Sequence, residues 1–174
     1  LTKEFRTAAG RIVRDGGRIT PDVDIEVPQY SRLVYSIVLG GVLDRYVIDY
    51  ARRYESITAV EDFHFSDSDF EDFIAFAKTQ DFDYRSSAKT YYDQMKKELE
   101  KDGLAEAMSD ELKAMEKALE MDKEGFIRLK KDEIIPFLEE EIATRFWFQE
   151  AGVKVRLRYD KQLMTALEKA VNIN

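Results

Sequence analysis

The hydrophobic period of the chain changes at Pro28, and that change limits the folds open to it. Before Pro28, Val23, Ile25 and Val27 alternate with Asp22, Asp24 and Glu26. A period of two suits a half-buried strand. After Ser31 the period becomes helical: Leu33, Ile37 and Val38 share one face, and Val42, Leu43, Tyr46 and Tyr50 share another. The expected fold is mainly α, with a β segment over residues 1–27 and a helical domain over residues 28–174. A chain of 174 residues can bury roughly 70% of its unfolded surface, so it can build a core.

Within the first segment, Ala8-Ala9-Gly10 reads as a turn and Arg11 to Arg14 as a short strand. Asp15-Gly16-Gly17 has the composition of a hairpin turn, because glycine tolerates positive φ. Gly40-Gly41 marks a break between two helices. Ser66 to Asp69 reads as a helix start rich in acids, with Phe70, Phe73, Ile74 and Ala77 following at helical spacing. Ser86 or Ser87 is the expected cap of a helix carrying Tyr92, Met95 and Leu99 and ending near Gly103. Leu112, Met115 and Leu119 line another. Ile134, Leu138, Ile142 and Phe146 recur every four residues, with a start or kink near Pro136 and an end at Gly152. Val153, Val155 and Leu157 alternate like a short strand, and Asp160 is placed to cap a last helix carrying Leu163, Met164, Leu167 and Val171.

Composition removes several function classes. The net charge is −8 and the pI about 4.9, which opposes binding to a phosphate backbone or an anionic membrane surface. No apolar run is long enough for membrane insertion. The absence of cysteine excludes disulfides and thiolate metal sites. Gly16-Gly17 lacks the surroundings of a phosphate cradle, and no cofactor is expected.

The remaining motifs carry mostly structural readings. Ser86-Ser87-Ala88-Lys89 has the S-x-x-K spacing that can set a lysine beside a serine nucleophile. Its companion motifs are missing, so a helix cap is the simpler reading. His64 is the only histidine; Glu61-x-x-His64 lacks the second copy that a di-metal helix site needs. Asp67 to Asp72 lacks the glycine and the terminal glutamate of a calcium loop. Glu139, Glu140 and Glu141 point in three directions on a helix and read as a solvated face. The methionines at 95, 115 and 164 read as core filler. Arg145-Phe146-Trp147-Phe148 is different, because three adjacent aromatic residues cannot all face one core. At least one is expected to meet solvent or a partner, which makes Arg145 to Phe148 a candidate docking surface.

Gly10-Arg11, Gly16-Gly17, Ile19, and Pro21-Asp22 form the pattern G-R-x-V-x-x-G-G-x-I-x-P-D. It resembles the last strands of the peptidase core in carboxyl-terminal processing, or tail-specific, serine proteases. Ile135 to Phe146 is similar to the helical C-terminal extension of some envelope members of that family. Arg18 stands where many members carry a third glycine. The resemblance implies an endopeptidase with a Ser/Lys dyad and often a PDZ domain, all upstream of this chain. It gives Gly10, Arg11, Gly16, Gly17, Pro21 and Asp22 a structural role and no catalytic one. Leu1 is not a natural start, and the chain is expected to be part of a longer protein. The implied partners are its own peptidase core, protein or peptide substrates and a second copy of itself. The implied compartment is the periplasm or cell envelope. An independent helical binding or scaffolding module is the alternative; it requires residues 1–27 to pack fully on the helices.

Overall fold

A computed structural model describes residues 3–8, 10, 12–14, 24–26 and 28–171. Among them the chain is mainly helical, with one antiparallel two-stranded sheet at its start. Strand β1 (Glu4–Arg6) pairs with β2 (Ile12–Arg14), Phe5 lying opposite Val13. The turn between them lies at Thr7 to Gly10: Gly10 N–H donates to the Thr7 carbonyl at 2.8 Å, and Gly10 takes φ +83°. This is the turn expected at Ala8 to Gly10. The second turn expected at Asp15-Gly16-Gly17 lies outside the described residues. So do Val23 and Val27 of the expected alternating strand; Asp24–Glu26 between them are not in a strand. All six strand residues are exposed.

The helical region opens with α1 (Arg32–Leu39) and α2 (Val42–Arg53). Ser31 caps α1, and Gly41 makes the break in a left-handed conformation at φ +66°. Next come α3 (Asp67–Thr79), α4 (Ser87–Lys101), α5 (Ser109–Leu119), α6 (Lys123–Leu129), α7 (Lys131–Arg158) and α8 (Lys161–Val171). Local chemistry accounts for most boundaries. Ser66 and Asp69 form a capping box at α3. Ser86 caps α4, and Asp160 Oδ1 accepts from Gln162 and Leu163 N–H at 2.9 Å each at the start of α8. Gly103, at φ +72°, closes α4 with bonds from Gly103 N–H to the Glu100 carbonyl and Leu104 N–H to the Leu99 carbonyl. Those two bonds define a Schellman motif. Helix α6 has no expectation behind it; Asp122 caps it through Gly125 N–H.

The main core lies between α1, α2, α3, α6 and the first half of α7. Tyr46 sits at its centre, fully buried, with Phe65, Phe73 and Phe76 edge-on around its ring. Its hydroxyl reaches Asp72 at 3.0 Å, and Arg53 completes the group by donating to Asp72 at 2.6 Å. Burial, and then the bond to Asp72, push the Tyr46 hydroxyl pKa well above the usual tyrosine range. Among the described residues no buried side-chain nitrogen or oxygen lacks a hydrogen-bond partner, as a stable core requires.

Helices α4 and α5 form a hairpin of their own, held by Tyr92, whose hydroxyl donates to the Leu112 carbonyl at 2.8 Å. The methionine reading fails on this unit and on α8. Met95, Met115 and Met164 are exposed rather than core residues. Helical spacing put them on apolar stripes, but in α4 and α5 the buried members of those stripes are Tyr92 and Leu112, not the methionines.

Asp83, in the loop before α4, ties that loop to α1. It accepts from Arg85 N–H at 3.0 Å, from the Arg85 side chain at 3.1 Å and from Arg32 at 2.7 Å. The Arg85 side chain, then its backbone N–H, hold the Asp83 carboxyl down to about 2. A depressed folded pKa contributes stability above the ordinary carboxylate value near ~4, and that stability is lost as pH falls through the folded value. Asp83→Asn is therefore expected to cost no more than ~1 kcal/mol at neutral pH, because the ion pairs are partly solvated. The difference from wild type should close as urea unfolding is repeated toward pH 2.

Candidate functional site

The candidate surface lies on α7, which is a helical hairpin. Its backbone is helical over 131–146, leaves the helix at Trp147 (φ −130°) and Phe148 (φ +66°, ψ −175°), and is helical again to Arg158. The corner is not at Pro136, which lies six residues into the first arm; the helix begins at Lys131 without regard to it. Nor does Gly152 end an element. It is buried in the second arm, where a Cβ would run into Thr144 Oγ1 of the first arm. The expected strand at Val153 to Leu157 is helix instead.

The arms fold back because each carries small residues on its inner face. Ala143, Ala151 and Val155 make a second buried cluster with Val60, and Trp147 packs against it. A straight helix would leave these side chains without cover, at roughly 25 cal/mol for each Å² of apolar surface exposed. Polar contacts fix the pairing. Arg156 Nε donates to Glu140 at 2.9 Å across the arms. Farther along, Tyr159 donates to Glu139 Oε2 at 2.7 Å.

Glu139 is a correction to the solvated-face reading. The residue is 1% exposed, the one buried charged residue among those described. Oε1 accepts from Phe65 N–H at 2.7 Å, and His64 Nδ1 lies 3.6 Å away. Arg158 stands 3.9 Å from Oε2 and donates to the carbonyls of Phe63, at 2.8 Å, and Val60. Glu139 and Arg158 thus clamp the loop before α3 onto both arms of the hairpin. Burial, and then the bond to Glu139, raise the Tyr159 hydroxyl pKa above the usual tyrosine range. His64 itself is 69% exposed and in a loop, and Glu61 pairs with Lys154 at 3.6 Å rather than with it. Glu140 is bound to Arg156, and only Glu141 keeps the exposure first expected.

The other motifs resolve as follows. Ser86 accepts the Lys89 N–H at 3.0 Å, a cap contact. The Lys89 ammonium goes to Asp93 at 3.0 Å and Glu116 at 3.3 Å. Asp93 foremost holds its pKa above the usual lysine range, the reverse of what a lysine base requires. Asp67 pairs with Lys131 at 2.6 Å. Among the described residues no three His, Asp or Glu side chains stand close enough to hold a metal, and no helix is long and apolar enough to cross a membrane. Of the motif residues at the N-terminus Gly10 and Val13 are described; Arg11, Gly16, Gly17, Ile19, Pro21 and Asp22 lie outside the described residues.

Arg145, Phe146, Trp147 and Phe148 are brought to the corner but point apart. Phe146 packs on the main core and Trp147 on the second cluster, while Arg145 is exposed and Phe148 is 81% exposed. The aromatic run therefore divides as one residue per surface, with Phe148 left outside. Its backbone lies in a region that is nearly glycine-only, which costs a non-glycine residue about 1–3 kcal/mol. Phe148→Gly should raise stability by about 1 kcal/mol, the relief of strain less the extra chain entropy of glycine. Denaturant midpoints of the two proteins check this.

Residues 33–169 match the family model described as "Probable PDZ-protease, C-terminal helical domain". No curated protein and no solved structure matches the chain.

Proposed function

The chain belongs to the family of C-terminal helical domains of probable PDZ-proteases, and on that premise we propose that it is the non-catalytic C-terminal part of a carboxyl-terminal processing serine endopeptidase. The Ser/Lys dyad of such an enzyme would lie upstream of these residues, and residues 1–27 would belong to the end of its core. The observation that carries this reading is the pairing of an exposed β hairpin with helices of a protease-associated family. Strands that complete another sheet have no reason to pack on the helical domain and leave their edges open when that sheet is missing. An independent helical module calls instead for residues 1–27 packed on the helices, and Phe5, Ile12 and Val13 are exposed. The glycine-rich pattern of residues 10–22 adds support for the tail-specific type.

In this role the helical bundle braces the peptidase core, positions unfolded substrate near its C-terminus or brings copies of the protein together. The periplasm or cell envelope is the compartment we propose, on the similarity of residues 135–146 to envelope members of the tail-specific proteases. The purified chain should leave a fluorescently labelled unfolded protein intact over hours at neutral pH. Cleavage that copurifies with the chain and survives Ser86→Ala would contradict the placement of the dyad upstream; cleavage abolished by that variant would contradict the cap assignment as well.

A further inference from the structure

Among the described residues, helices α4, α5 and α8 contribute nothing to either hydrophobic cluster of the domain, yet each carries an apolar stripe. In α4 the stripe is Tyr92, Met95 and Leu99; along α5 it runs from the N-cap Met108 through Leu112, Met115 and Leu119. Alternating steps of three and four residues are those of a helix–helix seam. Within this seam Tyr92 and Leu112 are buried, whereas Met95, Met108 and Met115 are exposed, Met115 at 45%. Two helices alone cannot cover such a seam; a third has to lie along it. Methionine is among the residues most often buried, and its flexible thioether moulds to the apolar surface it meets. All five methionines of this chain are exposed, and three of them line the seam. Helix α8 has the converse shape: a single helix with Leu163, Met164 and Leu167 on one stripe. Met164 is 46% and Leu167 53% exposed.

We propose that two copies of the chain exchange α8, each laying its Leu163, Met164 and Leu167 stripe along the other's α4–α5 seam. The lengths agree: α5 and α8 have 11 residues each, about 16 Å. The charges agree as well. From Glu98 to Glu111 the tip of the hairpin carries six carboxylates and one lysine, while α8 carries two lysines and one glutamate. The acidic tip therefore favours α8 over most of this acidic chain. Within one copy both faces stay uncovered. Helix α8 follows Tyr159, which Glu139 ties to Phe65 ahead of α3. The hairpin hangs behind α3, where Lys123 donates to the Gln80 carbonyl at 2.6 Å. The 13 residues of α3, about 20 Å of helix, lie between the two. Exchange about a two-fold axis makes the contact twice. Two contacts bring the buried area toward the roughly 1,200 Å² at which specific interfaces begin; a single helix of this length falls short. Self-association, one of the roles named above, thereby gains a defined surface that rests on the helices and not on the protease reading.

The chain has no cysteine, so single introduced cysteines report contacts without background. Met108→Cys, Met115→Cys and Leu167→Cys are made in the full 174-residue chain. Each is oxidised alone and in mixtures and run on non-reducing gels, and the wild type is sedimented to equilibrium. The expected result is a wild-type dimer, and a disulfide-linked dimer when Leu167→Cys is mixed with at least one of the two seam variants but not from any variant alone. Leu167→Asp puts a charge into the apolar contact and should weaken the dimer about tenfold or more. Leu167 is exposed, and unchanged helix content by circular dichroism would show that this loss is not unfolding. A monomeric wild type, a dimer that Leu167→Asp leaves intact, or a dimer in which neither seam variant links to Leu167→Cys would overturn the proposal. Linking of a seam variant only to itself would overturn it in favour of hairpin against hairpin. A disulfide-closed monomer from Met115→Cys/Leu167→Cys would overturn it in favour of closure within one chain. None of these readouts depends on proteolysis, so they succeed or fail separately from the protease reading.

Discussion

Glu139→Ala is expected to destabilise the domain by about 3–5 kcal/mol, the usual cost of removing one partner from a buried charge pair. The carboxylate accepts from Phe65 N–H and the Tyr159 hydroxyl and faces Arg158. Removing it strands two donors and leaves Arg158 held only by the Val60 and Phe63 carbonyls. An orphaned buried donor alone costs about 1–3 kcal/mol. Glu139→Gln keeps an acceptor for one donor and should cost less, about 1–2 kcal/mol. Urea unfolding of the two variants separates the lost charge from the lost hydrogen bonds. A change below ~1 kcal/mol for the alanine variant would mean that the loop before α3 is not clamped as described.

Gly152→Ala should also destabilise, by about 1–3 kcal/mol, although alanine in a helix is ordinarily better than glycine by about 1 kcal/mol. The added Cβ collides with Thr144 Oγ1, which already donates to the Glu140 carbonyl at 2.8 Å. Relief requires the arms of α7 to separate, and separation uncovers Ala143, Ala151 and Val155. Thr144→Ala removes the clashing oxygen, so the double variant should recover most of the loss. A thermal-denaturation double-mutant cycle measures this coupling. A neutral or stabilising Gly152→Ala would rule out the close approach of the two arms.

The helical class and most helix ends were readable because local chemistry sets them. Ser66, Ser86, Gly103 and Asp160 do at the termini what their residue types allow. The α7 hairpin was not readable, because its corner has neither glycine nor proline. It forms where Phe146 and Trp147 are drawn to different clusters. The alternation of Val153, Val155 and Leu157 misled for a related reason. Val153 and Leu157 are one helical turn apart on the exposed face, and Val155 alone points inward at 0% exposure. Ala143 and Ala151-Gly152, small residues on both sides of the aromatic run, were the available sign of two arms in contact. Glu139 looked like its neighbours because its burial depends on donors from Phe65 and Tyr159, which no local pattern connects to it. The candidate surface was half legible: three aromatic residues in a row foretold one outside, but not which one.

The most direct measurement is to determine the coding sequence upstream of Leu1. A PDZ-like segment followed by a peptidase core with a serine nucleophile and a downstream lysine is the expected result. It would make this helical domain the non-catalytic tail of a Ser/Lys endopeptidase. A start codon immediately before Leu1, or an upstream region with neither feature, would contradict that assignment.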